Sequence, residues 1–242
     1  MEPGERVIEV DAVVITAMGA EMTPFEERSS TLGRETLMGR ARIRLASFGQ
    51  AHVLLVTCGV GLVNAATATA LAVSRSRPIN VLSAGSAGGL HPDVRVGDVV
   101  AGASYTFGGA DARAFGYSLG QVPGMPASYP GDLDLLTNAA GPPGSRLLRG
   151  EIVSGDAFID GTSAERVRGR FPDALAADME SAAIAQACHL LDVPFLSVRA
   201  ISDLCGPAAG AEFSLAIEVA AGRSADVALE LIRSAASSSQ VA

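Results

Sequence analysis

Val193-Pro194-Phe195-Leu196-Ser197-Val198-Arg199-Ala200-Ile201-Ser202-Asp203 is an apolar run that stops on an acid. It is too short for an independent helix and is bounded by Asp and Pro, so it reads as a buried strand over 193–202. Upstream, Ala177-Asp178-Met179-Glu180-Ser181 follows the same plan, with acids where small apolar residues end. In an open α/β sheet ligands bind at the carboxyl ends of the strands, which makes Glu180 and Asp203 the first candidates for chemistry. Each has a second reading as a helix cap, because acids are favoured in a first helical turn.

Outward from these stretches, Val- and Ile-rich runs recur at 7–16, 52–58, 79–84, 95–101 and 150–154. Helix-like segments lie among them at 61–75, 162–170, 179–191 and 212–234. In the third, Ile184, Ala187, Cys188 and Leu191 keep the spacing of a core-facing stripe. Such alternation predicts a mostly parallel sheet with helices on both faces. A hairpin about Gly39-Arg40, pairing 37–39 with 41–47, makes the sheet mixed. The segment from Gly108 to Asp132 breaks the pattern: it is rich in Gly and Pro yet carries Phe115, Tyr117, Met125 and Tyr129. A loop of that length with that aromatic content is expected to cover a pocket or a subunit partner.

The 242 residues suit one α/β domain, 1–242, and a 48% hydrophobic content implies a sizeable core. A formal net charge of -8 argues against nucleic acid as partner, since that needs a basic face. The three cysteines, Cys58, Cys188 and Cys205, lack C-x-x-C spacing and read as buried thiols of a cytoplasmic protein. The three histidines are scattered, so neither a metal nor a cofactor is expected. The N-terminus has no signal-like apolar core, and no apolar stretch has the length of a membrane span.

Two glycine-rich loops follow strands. Gly59-Val60-Gly61 opens a helix, but the third glycine of a dinucleotide fingerprint is missing, as is the acid about 20 residues on. Gly85-Ser86-Ala87-Gly88-Gly89 either lets a ligand approach backbone N–H groups and Ser86, or is a tight turn.

Taken together these pieces resemble the nucleoside phosphorylase superfamily and, within it, the 5'-methylthioadenosine/S-adenosylhomocysteine nucleosidases. The resemblance runs from Val14-Ile15-Thr16-Ala17-Met18 to the last helix. It is carried by Ser83-Ala84-Gly85-Ser86-Ala87-Gly88-Gly89-Leu90, Ala114-Phe115-Gly116-Tyr117, Gly120-Gln121-Val122-Pro123-Gly124, Val153-Ser154-Gly155-Asp156-Ala157-Phe158-Ile159, Met179-Glu180 and Arg199-Ala200-Ile201-Ser202-Asp203. It implies a three-layer αβα sandwich with a central mixed, partly barrel-like sheet.

It also implies hydrolysis of the N-glycosidic bond of an adenine nucleoside. Glu21 would activate the attacking water, with Ser86 and Arg199 beside it. Glu180 would hold the ribose hydroxyls, with Met179 packed under the sugar, and Asp203 would protonate purine N7. Phe158 and the Ile159 backbone would receive the purine, while Met18, Val60 and Phe213 would wall the 5' substituent. Phe115 would reach the neighbouring subunit's pocket, making a homodimer. The residues agree chemically, since an oxocarbenium-like state calls for a base, an acid and an anion near the sugar.

Three departures bear on substrate. Gly19-Ala20 precede Glu21 where relatives carry acids, Gly108-Gly109 replace a His-Asp pair, and Ala112 and Arg113 stand at the 5' rim. A cationic Arg113 would suit a carboxylate-bearing substituent, which keeps an aminodeoxyfutalosine nucleosidase as an alternative. A purine nucleoside phosphorylase would need convergent cations, for which Arg34 and Arg40 would have to fold inward. A non-catalytic nucleoside-binding protein would lack one of the three acids.

Overall fold

The computed structural model describes residues 7–206 and 216–238. The chain opens with β1 (Ile8–Thr16), α1 (Gly19–Arg28), the short β2 (Thr31–Leu32) and β3 (Thr36–Met38), then β4 (Ala41–Phe48), β5 (Ala51–Thr57) and α2 (Leu62–Arg75). The middle holds β6 (Ser76–Gly89), β7 (Val99–Phe107), a 3-10 turn at Arg113–Phe115, β8 (Tyr129–Pro130), α3 (Leu133–Asn138) and β9 (Leu147–Ser154). It closes with α4 (Gly161–Arg170), β10 (Ala174–Asp178), α5 (Ser181–Leu191), β11 (Phe195–Asp203) and α6 (Ile217–Ser238).

One mixed sheet runs in the order β10-β9-β7-β11-β6-β1-β5-β4-β2. β6 is its hinge. Its first part lies parallel to β1 and β11, and its end, Gly88 and Gly89, turns to pair antiparallel with Ala177 and Ala176 of β10. That last pairing closes β6, β11, β7, β9 and β10 into a five-stranded ring. The predicted hairpin is present, with Met38 opposite Ala41 and Gly39 at a φ of 62°, a backbone conformation glycine adopts without steric cost.

Alternation along the strands builds the two outer layers. Val13 and Ile15 of β1 face the cluster that includes Ala65, Ala68 and Ala72 of α2 and Ile184 and Cys188 of α5. Ala12 and Val14 face the other way, into the cluster of Phe25 from α1 with Val227 and Leu231 from α6. Burial on both faces explains why β1 and β11 read as continuous apolar runs. Among the described residues no helix is long and apolar enough to cross a membrane.

Several expectations need correction. β7 starts at Val99 rather than 95 and continues to Phe107, held at its end by β9 and β8. α1 is not among the expected helices, and β10, whose carboxyl end the Ala177–Ser181 stretch marks, is not among the expected strand runs. α1 carries Gly19 and Pro24, and β10 is alanine-rich, so both depart from local propensity. Of the two roles expected for 108–132, a pocket cover or a subunit contact, the first is not met within this chain, whose cavity no residue of the segment lines: Tyr129 is buried, edge-on to Phe107, and Met125 packs on the core. Phe115 alone of the large apolar side chains there projects outward, 83% exposed.

Candidate active site

The ends of β1, β6, β10 and β11 surround a cavity of about 240 Å³. Nine of the sequence-predicted residues line it: Met18, Glu21, Val60, Ser86, Phe158, Ile159, Met179, Glu180 and Asp203. Arg199 is not in the lining; it lies beneath the acids, 1% exposed. Phe115 is also outside the lining, and Phe213 lies outside the described residues. The rest of the lining comes from nine further residues, among them Ala157, Asp178, Cys205 and Ile217, none of which was an expected site residue.

Glu21 sits in the first turn of α1, buried, with both carboxylate oxygens occupied by donors. One oxygen accepts the N–H of Ala17 at 3.0 Å and of Met18 at 3.2 Å. The other accepts the N–H and the hydroxyl of Ser86 at 2.9 Å and 3.1 Å. Four donors hold the carboxyl between the Ala17-Met18 backbone and Ser86. Glycine is needed at 85, because a Cβ there would lie 2.5 Å from both Glu21 Oε1 and Arg199 Nη1. The Gly85–Gly89 stretch is neither a loop nor a tight turn but the end of β6, paired with β11 and β10, and its glycines at 85, 88 and 89 leave room for neighbouring side chains.

Asp203 ends β11 three strand positions further along β6, beside Gly88. Its Oδ1 accepts the Cys205 N–H at 2.8 Å and its Oδ2 the Ser202 hydroxyl at 3.0 Å. A Cβ on Gly88 would meet Cys205 Sγ at 2.4 Å and Asp203 Oδ1 at 3.3 Å. At about 3.3 Å per strand residue, the anchor points of Glu21 and Asp203 are roughly 10 Å apart.

Glu180 lines the same cavity from the N-cap of α5 but makes no side-chain cap. The capping carboxylate is Asp178, which accepts the Ser181 N–H at 3.2 Å together with hydroxyls of Ser154 and Ser181. Glu180 is thus left facing the cavity, its Oε1 accepting the Gly61 N–H at 3.0 Å. The glycine-rich opening of α2 receives an internal carboxylate, with Asp156 accepting the next N–H, of Leu62, at 2.8 Å. Burial pushes the Glu180 carboxyl up to about 7, and the charges of Asp178 and Glu21 add to this; Arg199 and the Gly61 N–H oppose it.

Arg199 organises the floor. Its Nε donates to Asp178 at 2.7 Å, Nη2 donates to Ser83 at 3.0 Å, and Nη2 lies 3.6 Å from Glu180 Oε2. Nη1 has no hydrogen-bond partner among the described residues and lies on the Glu21 side, near Gly85. The signal for Asp178 was in the sequence, in the same short stretch as Glu180, but nothing local says which of two acids caps and which faces out. Burial also raises the thiol of Cys205, which lines the cavity, to about 12, so it behaves as an apolar wall.

Arg113 donates twice to Asp111, at 2.7 and 2.8 Å, on the surface. Arg34 and Arg40 are exposed, and no Lys or Arg lines the cavity among the described residues.

A family model described as the Phosphorylase superfamily matches residues 11–233. The 5'-methylthioadenosine/S-adenosylhomocysteine nucleosidase of Geobacillus sp. (strain WCH70) is 38% identical over 226 residues, covering 91% of this chain and 97% of its own. The Neisseria meningitidis nucleosidase of the same name, solved with methylthio-immucillin-A, superposes with a TM-score of 0.87 at 35% identity, over 92% of this chain and 98% of that one. The Colwellia psychrerythraea nucleosidase, solved with adenine, gives a TM-score of 0.87 at 30% identity over 94% and 96%. With its closed five-stranded ring, its two helical layers and these similarities along nearly its whole length, the chain belongs to the phosphorylase superfamily and, within it, to the 5'-methylthioadenosine/S-adenosylhomocysteine nucleosidases.

Proposed function

We propose that this protein hydrolyses the N-glycosidic bond of 5'-methylthioadenosine and S-adenosylhomocysteine, releasing adenine. The observation that carries the reading is that Glu21, Glu180 and Asp203 line one cavity, with Glu21 resting on Ser86 and Asp203 beside Gly88 of the same strand. Asp203 gives a proton to purine N7 while the bond from the sugar C1' to N9 breaks, its electron pair going to the purine. Glu21 takes a proton from water, whose oxygen bonds to C1'. Glu180 accepts hydrogen bonds from the ribose hydroxyls, and Met179 packs under the sugar. Phe158, half exposed on the cavity wall, receives the purine.

Phosphorolysis fits the site less well. A phosphate beside Ser86 would meet the Glu21 carboxylate, and the one guanidinium beneath is already shared between Asp178 and Glu180. The motive for a benzoate-bearing substrate also weakens, because Arg113 is paired with Asp111. The deciding assay is adenine release from methylthioadenosine, S-adenosylhomocysteine and aminodeoxyfutalosine, with and without phosphate. Release independent of phosphate, fastest on the first two, is expected; a strict need for phosphate overturns the role given to Glu21.

The proposal extends to assembly. α2 and α5 leave Val63 74%, Leu190 62% and Leu191 40% exposed around an apolar cleft of about 450 Å³. A second copy covering this face, with Phe115 inserted at its neighbour's pocket, accounts for the exposure. The chain is taken as one domain, since a single sheet draws strands from both halves. Three buried, unpaired cysteines support a reducing compartment such as the cytoplasm.

A further inference from the structure

The peptide joining Leu204 to Cys205 stands directly behind Asp203. Its N–H donates to Asp203 Oδ1 at 2.8 Å, and its carbonyl accepts from Arg168 Nη2 at 2.8 Å. The same guanidinium donates through Nε to the Leu90 carbonyl at 2.7 Å, one residue past the end of β6. One side chain of α4 thus ties the peptide that holds Asp203 to the strand that carries Ser86 and Gly88. The peptide needs holding: Cys205 has a φ of 51°, in the left-handed region that residues with a side chain avoid. It is also packed tightly, since a Cβ on Gly89 would lie 2.9 Å from Leu204 Cδ2.

A cation on a peptide carbonyl polarises that peptide and makes its N–H a stronger donor. Arg168 therefore does two things to Asp203 without touching it. It orients the Cys205 N–H, and it strengthens the bond that N–H makes to the carboxyl.

We propose that Arg168 is a positioning residue for Asp203, acting through the Leu204–Cys205 peptide to aim the carboxyl at the leaving purine. The proposal rests on the reading of Asp203 as general acid. Arg168 exchanges no proton; its contribution is realised only when the departing group has to be protonated.

That last point gives the test. Arg168→Met is compared with the unaltered protein on two substrates sharing the 5-methylthioribosyl group, one releasing adenine and one releasing 4-nitrophenolate, which departs without a proton. Adenine release is expected to fall about 10- to 100-fold in kcat, a part of the ~10²–10⁴-fold that general acid help supplies, with nitrophenolate release little changed. Arg168→Lys keeps one cationic donor and should recover part of the adenine rate, which also guards against a variant that simply fails to fold. Equal losses on both substrates would reduce Arg168 to a strut, and no loss on adenine would remove it from the mechanism. Asp203→Asn run in parallel separates the two levels. If that variant shows no preference for the nitrophenolate substrate, the general-acid reading itself fails, independently of what Arg168 does.

Discussion

Asp178 accepts the Nε–H of Arg199 at 2.7 Å, and each of the two side chains is 1% exposed. The pair fixes how the two neighbouring acids are used in the fold: Asp178 is engaged by Arg199 and the start of α5, which leaves Glu180 uncommitted to the cap, on the cavity wall.

Asp178→Asn leaves the guanidinium with Glu180, 3.6 Å away, as its remaining ionic partner. Breaking a buried pair from one side typically costs about 3–5 kcal/mol, and the remaining partner puts this case near the lower end. A urea titration followed by circular dichroism should show the midpoint fall accordingly. An unchanged midpoint would mean the pair adds nothing to stability.

The raised pKa of Glu180 links stability and binding with opposite signs. The unfolded group ionises near 4.5 and the folded one near 7, so between those values the folded state holds more protons. This group's contribution is therefore fully present below about 4.5 and is lost as pH rises through about 7. Glu180→Gln, which can still accept the Gly61 N–H, should be more stable than the parent above pH 7, by up to about 3 kcal/mol, with the difference gone in acid. Conversely, kcat/KM of the parent should climb as pH rises through the same range, because the ribose hydroxyls need an ionised acceptor. Parallel pH series of melting and turnover check both; equal stability of variant and parent at pH 8 would contradict the assignment.

Glu21→Gln should lower turnover by about 10²–10⁴-fold, as expected for loss of a base. It should also destabilise modestly, because an amide places an N–H where the carboxylate accepts donors on both sides. One buried donor left facing another costs about 1–3 kcal/mol. Adenine release together with a thermal melt measures both, and a stable, fully active variant would remove Glu21 from the chemistry.

Gly88 and Cys205 should be energetically coupled. A methyl at 88 meets Cys205 Sγ at 2.4 Å, so Gly88→Ala alone forces the Asp203 turn outward and should cost both stability and activity. Adding Cys205→Ala removes the obstructing sulfur and should restore part of each, a coupling of about 1–2 kcal/mol in a double-mutant cycle. Strict additivity would show that the turn moves freely.

Val63→Glu with Leu190→Glu places charges on the exposed apolar face of α2 and α5. Light scattering should show a smaller species than the parent, and adenine release should fall if Phe115 completes a neighbour's pocket. A monomeric parent would end the dimer reading.

Much of the architecture was legible because its signals are local. β1, β5, β9 and β11 are apolar runs closed by turn residues or acids, and the helices α2, α4 and α5 lie close to where periodicity puts them. β10 was not, since Ala174–Asp178 has little strand propensity and is a strand through its pairing with β9 and the end of β6. The Gly88-Gly89 end of β6 failed for the same reason. At the site, nine predicted residues share one cavity, but Arg199 lies beneath it, and Asp178 passed unnoticed beside Glu180.

By itself the sequence determined the layers, the strand ends that carry acids and the family, because each depends on residue type and order along the chain. The division of labour among those acids was decided in three dimensions. Which carboxylate caps α5, which rests on Ser86, which takes the Gly61 N–H and which is held by the Leu204–Cys205 peptide depends on donors brought from 65 and 119 residues away as well as from neighbours. A carboxyl group's role follows from the donors and charges around it, and only the closed sheet brings those together.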